Sequence, residues 1–535
     1  MKYTIAVPVY NDESTIKTCL DSIVNQTISK DKLEVICIND GSTDDSPAIL
    51  EEYSAAYDFI KVMHQENSGS PSGPRNKAIE AATGDFIFFI DGDDYFGLEA
   101  FERIEEKILE YNPDIVVGKY EGVNRGVPTA IFNRNPDNFQ FFGSNALYSI
   151  GAVKLFRLEL LRKHNIRFPE HYSLGEDQSF MVKAYAYSSS IALVKDYPVY
   201  YATNHLTVGR EQLTKQGIKG ERYMHAMTDT LRVIRDLELP EEKKLMAYYQ
   251  YIHRILHVEL RAIITRTFLM EDKVYIFNTL KALLKEHNFL AFYNHFNNRQ
   301  KLLLRLIEQG EMEDLVNFWY AESHPGNMEV FHGHIYPKPK KAYELAKAES
   351  LSFHRKNDMQ AVVTRITKGH EGVVLEGYTY HSHVDAEGEK LFLKLHNRED
   401  ERTTSIEMAK GPKDSESPVP IKSDILERQQ VTTFHAVVPF SILHWLNTAG
   451  GIVDLNVLSR IEDYTITARV KGEVLEPQKV KGAPKDKRNS IVVTEPYNTK
   501  HGNLSFKLQV TKKPKPKQLT KQQRVKNKIK RMMQA

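Results

Sequence analysis

Three aspartates and one glycine follow directly after an apolar run, as Asp91-Gly92-Asp93-Asp94 behind Phe86–Ile90. Hard divalent cations such as Mg²⁺ and Mn²⁺ bind oxygen ligands, usually one or two carboxylates together with phosphate oxygens. A cation held at this loop could neutralise a diphosphate and stabilise it as it leaves. Because Asp-Gly also occurs in ordinary turns, the motif alone is a weak signal. The preceding apolar strand strengthens it, and we predict that Asp91 and Asp93 bind Mn²⁺ or Mg²⁺.

Two further motifs contain groups that could hold a nucleoside. Val7-Pro8-Val9-Tyr10 offers the aromatic face of Tyr10, and Asn39-Asp40-Gly41-Ser42 offers a carboxylate that could accept the imide N–H of a base such as uracil. Taken alone, the second motif is better explained as a strand-to-helix turn with capping groups. Its spacing from the loop at residues 91–94 favours a nucleotide site that uses Tyr10 and Asp40.

A loop rich in glycine, proline and serine, Asn67–Asn76, leads into a predicted helix and has Arg75 in the first turn of that helix. A guanidinium beside the free N–H groups of a helix start suits phosphate oxygens. The alternative is a flexible loop with a solvated arginine.

Another acidic pair, Glu176-Asp177, follows Gly175 and precedes an amphipathic helix. A loop carboxylate of this kind can act as the general base that takes a proton from an attacking hydroxyl. The alternative is electrostatic stabilisation of a helix N-terminus, which suffices to explain the pair taken alone.

The elements that position these motifs alternate between strand and helix over residues 1–115. Four strands are predicted, each followed by a helix: apolar strands at Tyr3–Val7, Leu33–Ile38 and Phe86–Ile90, and a short strand at Lys61–His64. Strands of this length alternating with helices indicate a parallel sheet covered on both faces. Ligands bind such α/β sheets outside the carboxyl ends of the strands, so we expect the motifs that follow these strands to converge.

The pattern divides the chain into four segments, of which residues 1–215 form the α/β domain. Residues 216–350 are mainly helical, with apolar residues at three- and four-residue spacing. Residues 351–511 contain alternating strands that predict a β-sandwich of the immunoglobulin-like kind. Residues 512–535 contain ten Lys or Arg and no Asp or Glu. Such a segment is either a solvated end or a basic segment attracted to an anionic membrane surface.

Composition narrows the class of protein. Lys and Arg number 72 and Asp and Glu number 70, for a formal net charge of +2, which argues against a dedicated nucleic-acid binder. Only two cysteines occur, and neither a signal peptide nor an apolar run long enough to span a bilayer is visible. We therefore expect a cytoplasmic protein whose contact with a membrane, if any, is peripheral.

In order and spacing, the four motifs resemble the family 2 glycosyltransferases of the GT-A fold, over about residues 1–215. Within that family, Asn67–Asn76, Gly122–Pro128 and Gly175–Gln178 are similar to wall teichoic acid enzymes that attach β-N-acetylglucosamine to poly(ribitol phosphate). The order of segments agrees, because in those enzymes a helical linker and a trimer-forming β-sandwich follow the catalytic domain. The resemblance implies inverting, metal-dependent transfer from a UDP-sugar to an anionic polyol-phosphate polymer, by a homotrimer.

The resemblance also implies roles for individual residues. Asp177 would be the catalytic base, Glu176 would bind the donor or acceptor sugar, and Arg125 would orient the acceptor. The donor side would comprise Pro8, Tyr10, Asp40, Asn67, Arg75, Asp91, Gly92 and Asp93.

The sequence departs from the family pattern at two places. Ser70 and Ser72 stand in a loop that is richer in glycine in the family. The family also has a histidine close to the metal and pyrophosphate, shortly after the stretch equivalent to Tyr200–Thr203. Either His205, a candidate metal ligand, or Arg210 takes its place here.

Arg254, His257 and Arg261 are spaced by three and four residues in the helical segment, which predicts a basic stripe on one helix face. The functional hypothesis is that the stripe binds phosphates of a polymeric acceptor, since the planar fork of arginine matches phosphate oxygens. The alternative is an ordinary solvated face.

The motifs distinguish this function from two of four others. No Gly-x-Gly-x-x-Gly follows the first strand, as it would in a dinucleotide-dependent oxidoreductase. The glycine-rich, basic phosphate loop of a sugar nucleotidyltransferase is also absent from that place. A transferase of capsule or other surface polysaccharide synthesis stays open. A non-catalytic polymer-binding module stays open too, although the intact Asp91, Asp93 and Asp177 argue against it.

Overall fold

A computed structural model describes most of the chain, which forms two compact units, Met1–Met312 and Glu313–Ala535. The described ranges are 1–172, 174–204, 220–265, 269–324, 327–332, 334–353, 359–381, 384, 388–410, 430–446, 451–472, 480–482, 490–499 and 503–512.

The first unit contains a nine-stranded sheet. Its strands are β1 (Tyr3–Val9), β2 (Leu33–Asp40), β3 (Ile60–Gln65), β4 (Phe86–Phe89), β5 (Tyr95–Phe96), β6 (Ile115–Val123), β7 (Asn138–Phe139), β8 (Leu155–Arg157) and β9 (Ile191–Thr203). The helices between these strands are α1 (Ile16–Val24), α2 (Ser46–Ala56), α3 (Ser72–Ala81), α4 (Ala100–Tyr111), α5 (Ala130–Arg134), α6 (Leu158–Lys163) and α7 (Asp177–Tyr187).

The strands lie in the order β3-β2-β1-β4-β8-β6-β9-β5, with β7 paired to β9. The first four strands are mutually parallel, as predicted. Beyond residue 115, where no strand direction was predicted, the sheet is mixed, because β8 pairs antiparallel with both β4 and β6. Strand β8 is three residues long, too short to stand out in the sequence between a loop and α6.

Apolar side chains cover both faces of the central strands. Phe88 and Phe89 of β4 point to opposite faces of the sheet, and both are buried, as is Phe86. This is expected for a strand that is packed on both sides. Phe89 contacts Phe168 and Phe180 edge to face, with ring centroids 5.3 and 5.9 Å apart, and Phe168 stacks on Phe180 at 3.8 Å. This aromatic cluster fixes the loop after Phe168, and with it α7, against β4.

Helices make up most of the described residues from 220 to 309. They are α8 (Gly220–Arg235), α9 (Glu241–Arg254), α10 (Leu260–Thr265), α11 (Met270–Glu286) and α12 (Asn298–Gln309). A π-helical turn, Ile255–Glu259, joins α9 to α10. Among the described helices, none is both long and apolar enough to cross a bilayer.

The second unit is rich in strands, as predicted. Its elements are α13 (Met312–Ser323), β10 (Met328–Phe331), β11 (His334–Pro337), α14 (Lys340–Ala348), β12 (Met359–Lys368), β13 (Gly372–His381), β14 (Lys390–Asn397), β15 (Thr403–Glu407), β16 (Ala409–Lys410), β17 (Gln430–Pro439), α15 (Phe440–Leu446), β18 (Gly451–Ile461), β19 (Tyr464–Gly472), β20 (Val480–Gly482), β21 (Ser490–Asn498) and β22 (Leu504–Lys512).

Two groups of strands, β16-β17-β13-β12 and β19-β18-β22-β21-β20, are joined where β12 pairs in parallel with β19. The two sheets of the predicted sandwich are therefore hydrogen-bonded into one path of strands. Leu391, Leu393 and Leu395 alternate into the core, which is the pattern that predicted β14. The basic segment beyond Lys512 lies outside the described residues.

Candidate active site

The carboxyl ends of β1, β2 and β4 lie side by side, because β1 pairs in parallel with both neighbours. Val9 is opposite Asn39, so Tyr10, the first residue after β1, lies next to Asp40, the last residue of β2. Asp91 begins the loop after β4, on the other side of β1. The predicted convergence of the three strand-end motifs is confirmed.

Arg75 is the centre of the site, with its side chain only 5% exposed. Its Nη2 donates to Asp91 at 2.9 Å, and its Nη1 donates to Glu176 at 3.2 Å and to Asp177 at 3.1 Å. Burial opposes the charge of the guanidinium, but the three carboxylates outweigh that cost and raise the pKa of Arg75. One buried arginine therefore ties the loop after β4 to the start of α7, far away in sequence.

Glu176 and Asp177 lie in surroundings that raise the pKa of both carboxyl groups. Burial, with Asp177 beside it, raises the pKa of Glu176 to about 7, although Arg75 opposes the rise. Burial also raises the pKa of Asp177, again against the effect of Arg75. The Asp177 side chain is still 25% exposed, so a hydroxyl can reach it. A reachable carboxylate with a raised pKa is suited to general base catalysis.

Asp91, Asp93 and Asp94 bring carboxylate oxygens within 4.8 Å of one another. Asp94 is buried and accepts hydrogen bonds from the Tyr200 hydroxyl and, at 2.6 Å, from the Thr203 N–H. Burial, together with Asp93 and Asp91, raises the pKa of Asp94 to about 7. These hard oxygen donors fit Mg²⁺ or Mn²⁺, whose charge would relieve the repulsion among the carboxylates. The sequence analysis did not assign Asp94 to the site, although its place directly after Asp93 was an available signal.

Asp40 anchors the loop that begins at Asn67. Its Oδ1 accepts hydrogen bonds from the Ser68 N–H at 3.0 Å and the Gln65 amide at 2.6 Å, and its Oδ2 accepts from the Ser68 hydroxyl at 2.9 Å. Gly41 has a φ of +72°, and a Cβ there would lie 2.7 Å from the backbone nitrogen of Asn67. Glycine is therefore required for this close approach. Contact between Asp40 and a base stays a prediction, and the sequence did not indicate Gln65 or Ser68 as its partners.

Asp12 links the turn after β1 to the loop after β4. Its Oδ2 accepts a hydrogen bond from the Tyr10 N–H at 3.1 Å, and a Cβ on Gly92 would lie 2.9 Å from the same oxygen. Pro8 and Tyr10 are half-buried beside this contact. Gly92 thus permits the approach of the two loops, and Asp12 is a site residue that the sequence analysis missed.

Arg125 lies exposed in the turn after β6. A Cβ on Gly122 would lie 2.0 Å from the Arg125 carbonyl, so glycine is needed for this turn to close. The role of Arg125 towards an acceptor stays a prediction. His205 and Arg210, the two candidates for the family's histidine, fall outside the described residues.

The predicted stripe of Arg254, His257 and Arg261 is not one exposed face. Arg254 is buried, pairs with Glu259 at 2.8 Å and donates to the Leu147 carbonyl at 2.7 Å. The π-helical turn after α9 has more residues per turn than an α-helix, so spacings of three and four across it do not mark a single face. The assignment of Arg254 to acceptor binding is therefore wrong, because its side chain packs inside the unit.

Basic side chains, among them His257 of the predicted stripe, lie around Tyr148. The Tyr148 hydroxyl lies 3.0 Å from Nδ1 of His253, its ring lies 5.8 Å from that of His257, and the Arg134 guanidinium lies over its face at 6.0 Å. Burial lowers the pKa of both histidines, and neighbouring positive groups, Arg134 and Arg261 among them, lower that of His257 further. We call Arg134, Tyr148, His253, His257 and Arg261 the Tyr148 cluster.

Helices α8 and α9 hold the loop that leads into α7. The Tyr172 hydroxyl donates to Asp229 of α8 at 2.9 Å, and the Tyr251 hydroxyl of α9 donates to Gln178 at 2.5 Å. The geometry of the candidate base therefore depends on residues beyond 215, where the sequence analysis ended the catalytic domain.

Comparison with known proteins agrees with this geometry. Residues 4–166 match the family model described as glycosyl transferase family 2. The poly(ribitol-phosphate) β-glucosyltransferase of Bacillus spizizenii is 38% identical over 256 residues, which are 48% of this chain and 40% of that protein. The poly(ribitol-phosphate) β-N-acetylglucosaminyltransferase TarS of Staphylococcus aureus is 32% identical over 255 residues, which are 48% of this chain and 44% of that protein. The match spans less than half the length of either relative.

Solved structures show the same fold. The crystal structure of S. aureus TarS covers 96% of this chain and 86% of its own, with a TM-score of 0.67 at 22% sequence identity. The crystal structure of S. aureus TarS 1–349 in complex with UDP-GlcNAc covers 64% of this chain and 98% of its own, with a TM-score of 0.54 at 25% identity. The predicted GT-A domain, with a β-rich domain after it, is confirmed. The first unit of this chain therefore contains a glycosyltransferase family 2 domain.

Proposed function

We propose that the protein is an inverting glycosyltransferase that moves N-acetylglucosamine from UDP-N-acetylglucosamine to hydroxyl groups of wall teichoic acid, a polyol-phosphate polymer. One observation carries the proposal: the buried Arg75 contacts both Asp91 in the Asp-x-Asp loop and Asp177, the candidate base. The group that would deprotonate the acceptor thus lies beside the group that would face the donor diphosphate. The names of two relatives, both poly(ribitol-phosphate) glycosyltransferases, support the choice of polymer.

Inversion needs one base on the acceptor side, and Asp177 suits that role. Its carboxylate would take the proton from the acceptor hydroxyl as the hydroxyl oxygen attacks the anomeric carbon. Arg75 holds Oδ1 of Asp177 at 3.1 Å and so fixes the orientation of the carboxylate. Glu176 shares the same guanidinium at 3.2 Å and would contact hydroxyl groups of a bound sugar.

Asp91 and Asp93 would hold a divalent cation, Mn²⁺ or Mg²⁺. Bound there, the cation would neutralise the diphosphate of the departing UDP. Arg75 lies 2.9 Å from Asp91 and would place a second positive charge beside that diphosphate. Asp40, Tyr10 and the half-buried Pro8 would enclose the nucleoside.

The Tyr148 cluster is the part of the first unit that would bind acceptor phosphates. Arg134 and Arg261 are fixed positive charges, and arginine's planar fork matches phosphate oxygens. His253 and His257 have pKa values lowered by burial, so a phosphate bound next to them would favour their protonated, cationic forms. The proposed acceptor site thus keeps His257 and Arg261 of the predicted stripe and has Arg134 and His253 in place of the buried Arg254.

Replacing Arg134 and Arg261 together by alanine is expected to raise the KM for the polymer by about tenfold or more, since two charged contacts are lost. The rate of UDP-N-acetylglucosamine hydrolysis without polymer should not change. The KM of the variant should also depend less on salt, because fewer charges remain to be screened. The matched control is Arg235→Ala, which removes an exposed arginine paired with Asp236. Equal losses with a neutral acceptor and the polymer would refute phosphate binding by the cluster.

The donor and acceptor are tested directly by pairing UDP-sugars with purified polymers. UDP-N-acetylglucosamine with poly(ribitol phosphate) should give the fastest transfer, ahead of poly(glycerol phosphate). A second candidate donor is UDP-glucose, because the relative that is 38% identical is named a β-glucosyltransferase. Transfer to a neutral surface polysaccharide would instead support capsule synthesis. Polymer binding without UDP release from any donor would support the non-catalytic module.

We also propose that the protein is a cytoplasmic homotrimer that assembles through its second unit and touches the inner membrane face through its basic end. The resemblance to trimeric enzymes and the ten Lys or Arg among residues 512–535 support these assignments. Light scattering should give the mass of a trimer for the full chain and of a monomer for a chain that ends at Met312. The shorter chain should still hydrolyse UDP-N-acetylglucosamine. A monomeric full chain would contradict the assignment.

A further inference from the structure

Lys154 is a fully buried lysine that the proposed mechanism does not use. Its ammonium donates to the carbonyl of Gly151 and lies 5.8 Å from the centre of the Tyr120 ring, and both of these partners are neutral. Burying a lysine in this way is costly, because the charged form loses its hydration. Burial lowers the pKa of Lys154 to about 7, and Asp177 opposes the fall.

The loop that Lys154 closes, residues 149–154, packs against the candidate base. The Lys154 N–H donates to the Ala152 carbonyl at 2.7 Å, so the lysine binds this turn through its backbone as well as its side chain. The Ala152 N–H in turn stabilises the ionised carboxylate of Asp177. A Cβ on Gly151 would lie 3.9 Å from Oδ2 of Asp177, which shows how closely the loop approaches.

Other groups fix the same loop from neighbouring elements. The Tyr120 hydroxyl of β6 lies 3.3 Å from the Ser149 hydroxyl, and the Tyr185 hydroxyl of α7 donates to the Ser149 carbonyl at 2.9 Å. These tyrosines hold the start of the loop, and Lys154 holds its end. The loop therefore presents the Ala152 N–H to Asp177 at a fixed position.

The charge of Lys154 matters because Arg75 alone leaves the site with excess negative charge. One guanidinium contacts three carboxylates, Asp91, Glu176 and Asp177. If all three were ionised, the set would carry two uncompensated negative charges, and a lysine nearby reduces that to one. The interaction of Asp177 with Lys154 favours the ionised carboxylate.

We propose that Lys154 is a positioning residue for the base: through Gly151 and Ala152 it holds the 149–154 loop, together with its own positive charge, against Asp177. The inference rests on the proposed function, in which Asp177 takes a proton from the acceptor. Four charged groups lie around Asp177. They are Arg75 of α3, Asp91 of the loop after β4, the neighbouring residue Glu176, and Lys154 at the end of the 149–154 loop. Of these, Lys154 is the one that can be neutralised without touching the donor side.

The test compares Lys154→Met, which removes the charge at similar size, with Lys154→Arg, which keeps it. In Lys154→Met the acidic limb of the kcat profile should move to higher pH, because the ionised base is then lost at higher pH. Transfer should fall on the order of tenfold near pH 5.5 and by less than about twofold near pH 8.5. Lys154→Arg should restore the wild-type limb, and the KM for the donor should not change. The matched control is Lys183→Met, since Lys183 also donates to a carbonyl, that of Asn165 at 3.1 Å.

A second measurement does not require activity or a folded Lys154→Met variant. Because coupling between two sites is reciprocal, Asp177→Asn should lower the pKa of Lys154, read from the side-chain ¹³Cε resonance of labelled lysine. An unchanged Lys154 pKa in Asp177→Asn would overturn the proposal, as would a kcat profile of Lys154→Met whose acidic limb lies at the same pH as that of the wild type. If the wild-type protein transferred no sugar, the proposed function would fail, and the NMR titration would still decide the role of Lys154.

Discussion

Replacing Asp177 by asparagine is expected to lower the rate of sugar transfer by ~10²–10⁴, the range for losing a general base. The asparagine amide keeps the size of the side chain and an oxygen that can accept from Arg75, whose Nη1 lies 3.1 Å from Oδ1 in the native protein. It cannot take a proton. UDP-N-acetylglucosamine should therefore bind nearly as well as to the wild type. Single-turnover transfer measures the first effect, and calorimetric titration with the donor measures the second.

The pH dependence of transfer gives an internal check on Asp177. Burial raises the pKa of this carboxylate, so the ionised base is present above the raised value and is lost as the pH falls through it. The wild-type rate should accordingly fall as the pH is lowered through the pKa of Asp177. The residual rate of Asp177→Asn should not show this fall. Asp137→Asn, which removes an exposed partner of Lys195, is the matched control and should behave as the wild type. Near-wild-type turnover by Asp177→Asn would show that another group is the base.

Replacing Arg75 by methionine is expected to abolish measurable transfer and to destabilise the first unit. Three carboxylates would lose their shared partner, and removing one member of a buried ionic set usually costs about 3–5 kcal/mol. The loss should lie near the lower end of that range, because the Asp91 side chain is 40% exposed and water screens part of its charge. Chemical denaturation of the chain ending at Met312, followed by circular dichroism, measures this difference.

The destabilisation of Arg75→Met should depend on pH in a defined direction. Without the guanidinium, the three carboxylates raise one another's pKa above the values of the unfolded chain. Their contribution to stability is then retained below the unfolded pKa values and lost as the pH rises through the raised folded values. The variant should be closest to the wild type in acid and furthest from it above neutral pH. Arg157→Met removes an arginine that bonds one carboxylate, Asp114, and should show little of this dependence.

The parts of the site that lie at strand ends could be predicted from the sequence. Tyr10, Asp40 and Asp91 each follow an apolar strand, and parallel pairing of β1 with β2 and β4 then brings them together. The direction of β8 could not be predicted in the same way. Two of its three residues, Leu155 and Phe156, are apolar and buried, but a buried strand has the same composition whichever way it runs.

Most features of the site that could not be predicted are contacts between residues far apart in sequence. Arg75 was predicted to face phosphate, but nothing in the loop around it indicates that it also binds Glu176 and Asp177 across about a hundred residues. From the sequence alone, Lys154 would be expected to lie in solvent, as most lysines do. Its burial follows from the packing of β6 and α7 around it. Arg254 was predicted to lie on an exposed helix face, but a π-helical turn changes the number of residues per turn directly after it. No residue type between Ile255 and Glu259 predicts that turn.

The central claim is that this chain transfers N-acetylglucosamine with inversion to a polyol-phosphate polymer, and the anomeric configuration of the product tests it most directly. The sugar is α-linked in UDP-N-acetylglucosamine, so a single displacement assisted by Asp177 must give a β-linked product. The measurement is proton NMR of poly(ribitol phosphate) after incubation with the protein, the donor and Mn²⁺ or Mg²⁺. The account predicts a β-anomeric signal that appears together with released UDP and is absent with Asp177→Asn. An α-anomeric signal, or UDP release with no sugar on the polymer, would contradict it.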